Sequence, residues 1–204
     1  MKPTLSNERY TESDCRRLFA AAAGELRWLC YTLTGDAELS KQALDAALEQ
    51  SLKGATQVFR EWMLSWARRL IIKFCIATVR PSQSALAKSA YPLFPMTFGS
   101  ANSDHVSGLL SLPAATLQRR LLRMDALSRF VFVLRAVEGY SRRDAALLLN
   151  IDDRACEWVY VWAVGTLGSD VARLERQEFG DVQPRSFATE LGGPVDSLEL
   201  AEAV

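Results

Sequence analysis

The stretch SRRDAALLLNIDDRACEWVYVWAVGTL, from Ser141 to Leu167, leaves its backbone few choices. Ser141 and Asp144 stand in S-x-x-D spacing, a weaker form of the capping box, so a helix is expected just after Ser141. Asn150 suits the left-handed residue of a tight turn. Asp152 can then cap a second helix running from about Asp153 to Leu167 or beyond. Two capped helices about a tight turn have the outline of a helix-turn-helix, whose second helix normally enters the DNA major groove carrying donors and cations. On a helical wheel Cys156, Val159, Tyr160, Ala163 and Leu167 share the face expected to pack inward. Arg154, Glu157, Trp158, Val161, Trp162 and Gly165 fall on the opposite face. That outer face is poor in cations for a DNA reader.

Upstream, helix signals are strong and strand signals weak. From about Ser13, Leu18, Phe19, Ala22, Leu26, Leu29, Cys30 and Leu33 recur on one face, with Gly35 as a stop and Asp36 as the next N-cap. A second helix, AELSKQALDAALEQSLKG, ends near Gly54. A third is expected to bury Val58, Trp62, Trp66 and Leu70 or their neighbours and to stop before Pro81. Residues 81 to about 108 hold three of the seven prolines and many serines without a sustained period, the signature of a linker. A short apolar motif within it, around Tyr91 to Phe98, can dock on a domain. Helical signal resumes at Pro113 and gives two helices, or one interrupted one, before Gly139. The expected fold is all-α, with two small helical domains joined by a linker, the second a four-helix domain containing the helix-turn-helix. The boundaries are a flexible N-terminus over 1–12, helical domains over 13–80 and 112–178, a linker over 81–111, and a mobile tail over 179–204.

Composition narrows the function classes. Of 204 residues, Lys+Arg and Asp+Glu number 24 each, so no global charge draws the chain to nucleic acid or to an anionic membrane. A local basic face would have to do that work. The four cysteines are scattered, without C-x-x-C or a neighbouring histidine, and read as reduced thiols of a cytoplasmic, soluble protein. The N-terminus has no apolar signal region, and LIIKFCIATV is short and interrupted by Lys73, a core helix rather than a membrane span. The only histidine, His105, lies in the linker beside Asp104. With no Gly-rich phosphate loop, no H-E-x-x-H and no oriented base, neither enzyme activity nor a cofactor, metal or small-molecule substrate is expected.

Arg129, Val131, Phe132, Leu134, Glu138, Gly139, Ser141, Asp144, Ala146, Leu149, Ile151 and Leu167 stand in a pattern that resembles the DNA-binding C-terminal domain of bacterial extracytoplasmic-function sigma factors. The first block is similar to the family's core-polymerase-binding domain in LTGD (Leu33 to Asp36) and FREWMLSWARRLIIKF (Phe59 to Phe74). Together the matches cover roughly residues 15–80 and 112–170. The resemblance implies a transcription-initiation factor with core RNA polymerase and promoter DNA as partners. It would place polymerase contacts at Glu38, Lys41, Gln42 and Asp45, inner-promoter contacts at Arg68, Arg69, Lys73 and Arg80, and outer-element contacts at Arg142, Arg143, Arg154, Glu157, Trp158, Val161 and Trp162.

The sequence departs from that pattern in a consistent direction. Lys41 and Gln42 stand where carboxylates are usual. The last helix carries Glu157, Val159, Val161, Trp162 and Val164 where the family carries Lys and Arg. Each phosphate neutralised contributes a salt slope of about 0.9, so one Arg cannot replace several cations, and Glu157 would repel DNA. Two exposed indoles would present roughly 300–500 Å² of mostly apolar surface, a patch that monomers seldom leave open. Trp158, Val161 and Trp162 are therefore also a candidate protein interface, covered by the other domain, the linker, a second copy or a regulatory protein. Two functions stay open: a sigma-type factor with weakened promoter recognition, or a non-DNA-binding interaction module on a sigma scaffold.

Overall fold

In the computed structural model, residues 11–54, 62–81 and 103–179 are described, the side chains of 103–105 and 170–179 excepted. The expected flexible N-terminus up to residue 10, Val58, the Tyr91–Phe98 motif and the tail from residue 180 lie outside them. Described residues are helical, with no strand among them, as the sequence pattern predicts. None of their helices is long and apolar enough to cross a membrane, and they hold no cluster of side chains suited to a metal ion. The chain divides into a compact unit, Met1–Ser169, and a short one, Asp170–Val204, in which the described backbone is the end of the last helix.

Helix α1 spans Glu12–Ala21 and is opened by a full capping box. Thr11 Oγ1 accepts from the Asp14 N–H at 3.2 Å, and Asp14 accepts from the Thr11 N–H at 3.2 Å. The single long helix expected from Ser13 is instead two, since α2 covers Ala23–Thr34. The interruption at Ala22 is a kink rather than a stop. Ala22 N–H still donates to the Leu18 carbonyl at 2.8 Å, and Leu26 N–H to that of Ala22 at 3.0 Å. Four successive alanines followed by Gly24 supply little side chain to pack and a costly backbone at Gly24, so tertiary contacts decide the axis there.

Gly35 ends α2 in the left-handed conformation, φ 71°. Asp36 Oδ1 then accepts from the Leu39 N–H at 2.8 Å and opens α3, Ala37–Gly54. Helix α4 covers Met63–Val79, and Arg80 closes it at φ 50° just ahead of Pro81. Trp62, expected in the core, is 62% exposed. The buried stripe of α4 runs through Met63, Ala67, Leu70, Ile71 and Cys75, one position on from the Trp62–Trp66 register, so the two indoles flank the core rather than fill it. Helices α2, α3 and α4 pack on one another around Leu26, Leu29, Leu33, Ala47, Ile71 and Ile72.

The segment expected to be wholly linker contains a helix, α5, Ser103–Leu110, whose Leu109 is buried. His105 lies on its backbone. After Pro113 come α6, Ala114–Leu121, and α7, Ala126–Phe132, whose N-cap Asp125 accepts from the Ser128 N–H at 3.0 Å. Every side chain from Phe130 to Leu134 is fully buried, which makes α7 the central rod of the second block. It runs into a widened π turn, Val133–Val137, and then Gly139 at φ 71°. Helices α8, Arg142–Leu149, and α9, Asp153–Phe179, follow.

The two blocks pack together inside the compact unit, with α2 against α6 and α7. Trp28 Nε1–H donates to the Ala114 carbonyl at 3.1 Å. Gln118 Nε2 donates to the Trp28 carbonyl at 3.2 Å and to Thr32 Oγ1 at 2.8 Å. Arg129 Nη2 donates to the Leu33 carbonyl at 3.2 Å, placing a cation at the negative end of α2. Burial pushes that guanidinium down from its ordinary pKa. A Cβ on residue 35 would sit 3.4 Å from Arg129 Nη2, so Gly35 is required by its conformation and crowded by this contact. All four cysteines are free and buried. The neighbouring Cys30 and burial together push the Cys75 thiol up.

Candidate nucleic-acid and partner interface

The α8–α9 corner is built by local chemistry. Ser141 Oγ accepts from the Asp144 N–H at 3.1 Å, and the two side chains also bond at 2.7 Å. At the other end Asn150 takes φ 52°, the Ile151 N–H reaches the Ala146 carbonyl at 3.1 Å, and the Asn150 N–H that of Leu147 at 3.3 Å. This paired closure satisfies the last carbonyls of α8 and turns the chain sharply. Asp152 Oδ1 accepts from the Ala155 N–H at 2.8 Å and opens α9. Arg142 pairs with Asp153 across the corner at 2.5 Å, tying the start of one helix to the start of the next.

The inner face of α9 is the one its periodicity implies. Cys156, Val159, Tyr160, Ala163 and Leu167 are buried, and Val164 joins them. On the outer face Arg154, Trp158, Trp162 and Gly165 are exposed, with Glu157 and Val161 partly so. Glu157 does not stand as an open negative charge. Arg135 pairs with it at 3.0 Å and lies 4.5 Å from the Tyr160 ring centroid, a cation–π stack. The repulsion expected of Glu157 toward DNA is thereby softened. Burial also pushes the Tyr160 hydroxyl up, with Arg135 opposing. Exposed Arg143 and Arg154 take part in no ion pair among the described residues.

Glu38, Lys41, Gln42 and Asp45, at helical i, i+3, i+4 and i+7 positions, are all exposed along one side of α3. Gln42 Nε2 donates to Glu38 Oε1 at 3.2 Å. The four basic candidates of α4, by contrast, separate. Arg80 is exposed at the helix end. Arg69 and Lys73 are exposed one turn apart and line an open groove of about 1040 Å³. Arg68 lines the same groove but is engaged there in ion pairs. Its Nε donates to Glu138 Oε2 at 3.0 Å and its Nη2 to Glu138 Oε1 at 2.5 Å, while Nη1 reaches Glu25 at 3.3 Å. The Glu138 hydrogen bonds push the Arg68 pKa up, against burial.

The groove's second wall is Tyr140 with Leu147 and Leu148, which are 70% and 39% exposed. Sequence reasoning missed these leucines, and also missed Glu138 and Arg135 as ion-pair partners. The leucines could have been found by noting that LLL on a short helix exceeds one buried stripe. The partners of Arg68 could not, because they lie 43 and 70 residues away.

No protein-family model matches the chain, and neither a curated protein nor a solved structure resembles it significantly.

Proposed function

We propose that this chain is a divergent sigma-type transcription factor. Its first block meets core RNA polymerase through the exposed face of α3. Its second meets promoter DNA through α8 and α9, read as a helix-turn-helix, with weakened sequence discrimination. The observation that carries this reading is the α8–α9 corner, capped at both helix starts and closed at Asn150. Such a corner holds a helix face in a fixed attitude to a second surface, and that face retains Arg154, while Arg143 is exposed on α8.

Weak recognition follows from the charge count. On the α8–α9 corner the two cations outside ion pairs, Arg143 and Arg154, would neutralise about two phosphates, giving that corner's share of log affinity a slope of about −2 against log salt. Fluorescence anisotropy with labelled duplex DNA across a salt series tests this directly. Binding that weakens with that slope supports the reading, and no binding even at low salt overturns it.

A second reading rests on a different observation. Trp158 and Trp162, one turn apart on α9, are 42% and 47% exposed, and aromatic anchors of this kind commonly dominate protein interfaces. Here the α9 face grips a regulatory protein instead of DNA. Trp158→Ala combined with Trp162→Ala separates the two. Loss of partner capture with duplex affinity unchanged favours the second reading, and loss of duplex affinity favours the first.

A further inference from the structure

Arg68 and Glu138 belong to different blocks, yet they meet in the strongest geometry an ion pair takes. Two parallel N–H donors face two carboxylate oxygens at 3.0 and 2.5 Å. The Glu138 side chain is only 7% exposed, and Arg68 is 24% exposed. Glu138 directly follows the π turn that ends the central rod of the second block. Arg68 stands mid-helix on α4, against the core of the first. Neither element has much freedom to follow the other if the blocks part. A buried carboxylate without its partner is costly, so separation means that Glu138 rehydrates and Arg68 is released at the same time. That makes the pair an element with two states rather than a graded contact.

The released fork has an obvious rival ligand. Guanidinium donors match a phosphate as well as they match a carboxylate, and Arg68 lines the same groove as exposed Arg69 and Lys73 of its own helix. We propose that Arg68–Glu138, braced by Glu25, is an ionic latch in which Glu138 competes with nucleic-acid phosphate for the guanidinium of Arg68. Closed, it holds the two helical blocks together and withdraws one cation from the basic side of α4. Open, it returns that cation to an anionic ligand. The inference rests on the nucleic-acid reading above for the identity of the rival, and on the geometry alone for the latch. Because binding and opening are linked, a phosphate ligand that captures Arg68 favours the open state by the same factor that opening favours the ligand.

The test uses the full chain in four forms: wild type, Glu138→Gln, Arg68→Gln, and the exchange Arg68→Glu with Glu138→Arg. Small-angle scattering reads the dimensions, and anisotropy with labelled duplex DNA at fixed salt reads affinity. Glu138→Gln is expected to expand the chain and tighten DNA binding about ten-fold, the gain of one charge-assisted contact. Arg68→Gln is expected to expand it without tightening binding, and the exchanged pair to restore the compact dimensions. Circular dichroism checks that helical content is kept. Should either single variant unfold, recovery of helicity and compactness in the exchanged chain carries the same support, and failure to recover them overturns the latch. A folded Glu138→Gln chain of unchanged dimensions also overturns it. Equal tightening in Glu138→Gln and Arg68→Gln overturns the competition. Expansion with no DNA binding by any form supports the latch and overturns the nucleic-acid reading instead.

Discussion

Asn150 and Asp14 show how single residues set local structure here, and each supports a measurement. Asn150 occupies φ 52°, where most side chains are strained. Asn150→Ala should destabilise the fold by about 1–2 kcal/mol, while Asn150→Gly should be nearly neutral; urea unfolding of both variants checks the pair. Asp14 is held down from 3.8 to about 2, first by the Thr11 hydroxyl and then by its pairing with Arg17. Its folded pKa lies below its unfolded one. The stability it contributes is therefore complete above the ordinary value and lost as pH falls through about 2. Asp14→Asn should remove that part of the acid dependence, measured as the shift in urea midpoint between neutral pH and pH about 2. Residues of this kind were the most legible in the sequence. Gly35, Asp36, Ser141, Asn150 and Asp152 act on backbone within a few positions of themselves, so their chemistry is written in adjacent letters. The period of α4 left open whether the Trp62 stripe or its neighbour is buried, because that depends on which of the two meets α2 and α3.

At the scale of elements, α9 combines what the sequence could and could not convey. Its inner stripe was readable from period alone. The openness of its outer face was readable too, but its extent was not, because each indole is more than half covered. With less than half of each exposed, the pair offers about 200 Å², worth on the order of 5 kcal/mol gross if fully covered. A stable dimer needs about 800 Å² from each partner, so two such faces cannot hold one by themselves. Sedimentation velocity at micromolar concentration should accordingly give a monomer, and a concentration-dependent dimer abolished by Trp158→Ala would contradict this. Helix α7 is the opposite case. Phe132 lies in a run buried on all sides, and Phe132→Ala should cost about 3–5 kcal/mol, read from the same urea curves. Helix α5 escaped the sequence reading because eight residues near prolines and serines carry too short a period, and it is held by contacts from the π turn.

For the molecule as a whole, the decisive contacts join residues far apart in the chain. Trp28 to Ala114, Gln118 to Thr32, Arg129 to Leu33 and Arg68 to Glu138 bridge blocks that local patterns present as separate. Periodicity and capping speak only for neighbours, so these ties were invisible, although Arg129 and Glu138 both belong to the pattern that resembles the sigma family. Their consequence is cooperative. The compact unit should unfold in one transition, with far-ultraviolet ellipticity and tryptophan fluorescence giving the same midpoint. Two resolved midpoints in the wild-type chain would mean that these ties do not couple the unfolding of the two blocks.

The burial of all four thiols, on α1, α2, α4 and α9, gives the protein its own clock. A thiol inside the packed chain can react with an alkylating reagent only during an opening that admits it. The rate at each cysteine therefore times a different motion. Parting of the blocks without loss of helix packing leaves Cys30 and Cys75 silent, while unravelling of the first block starts both together.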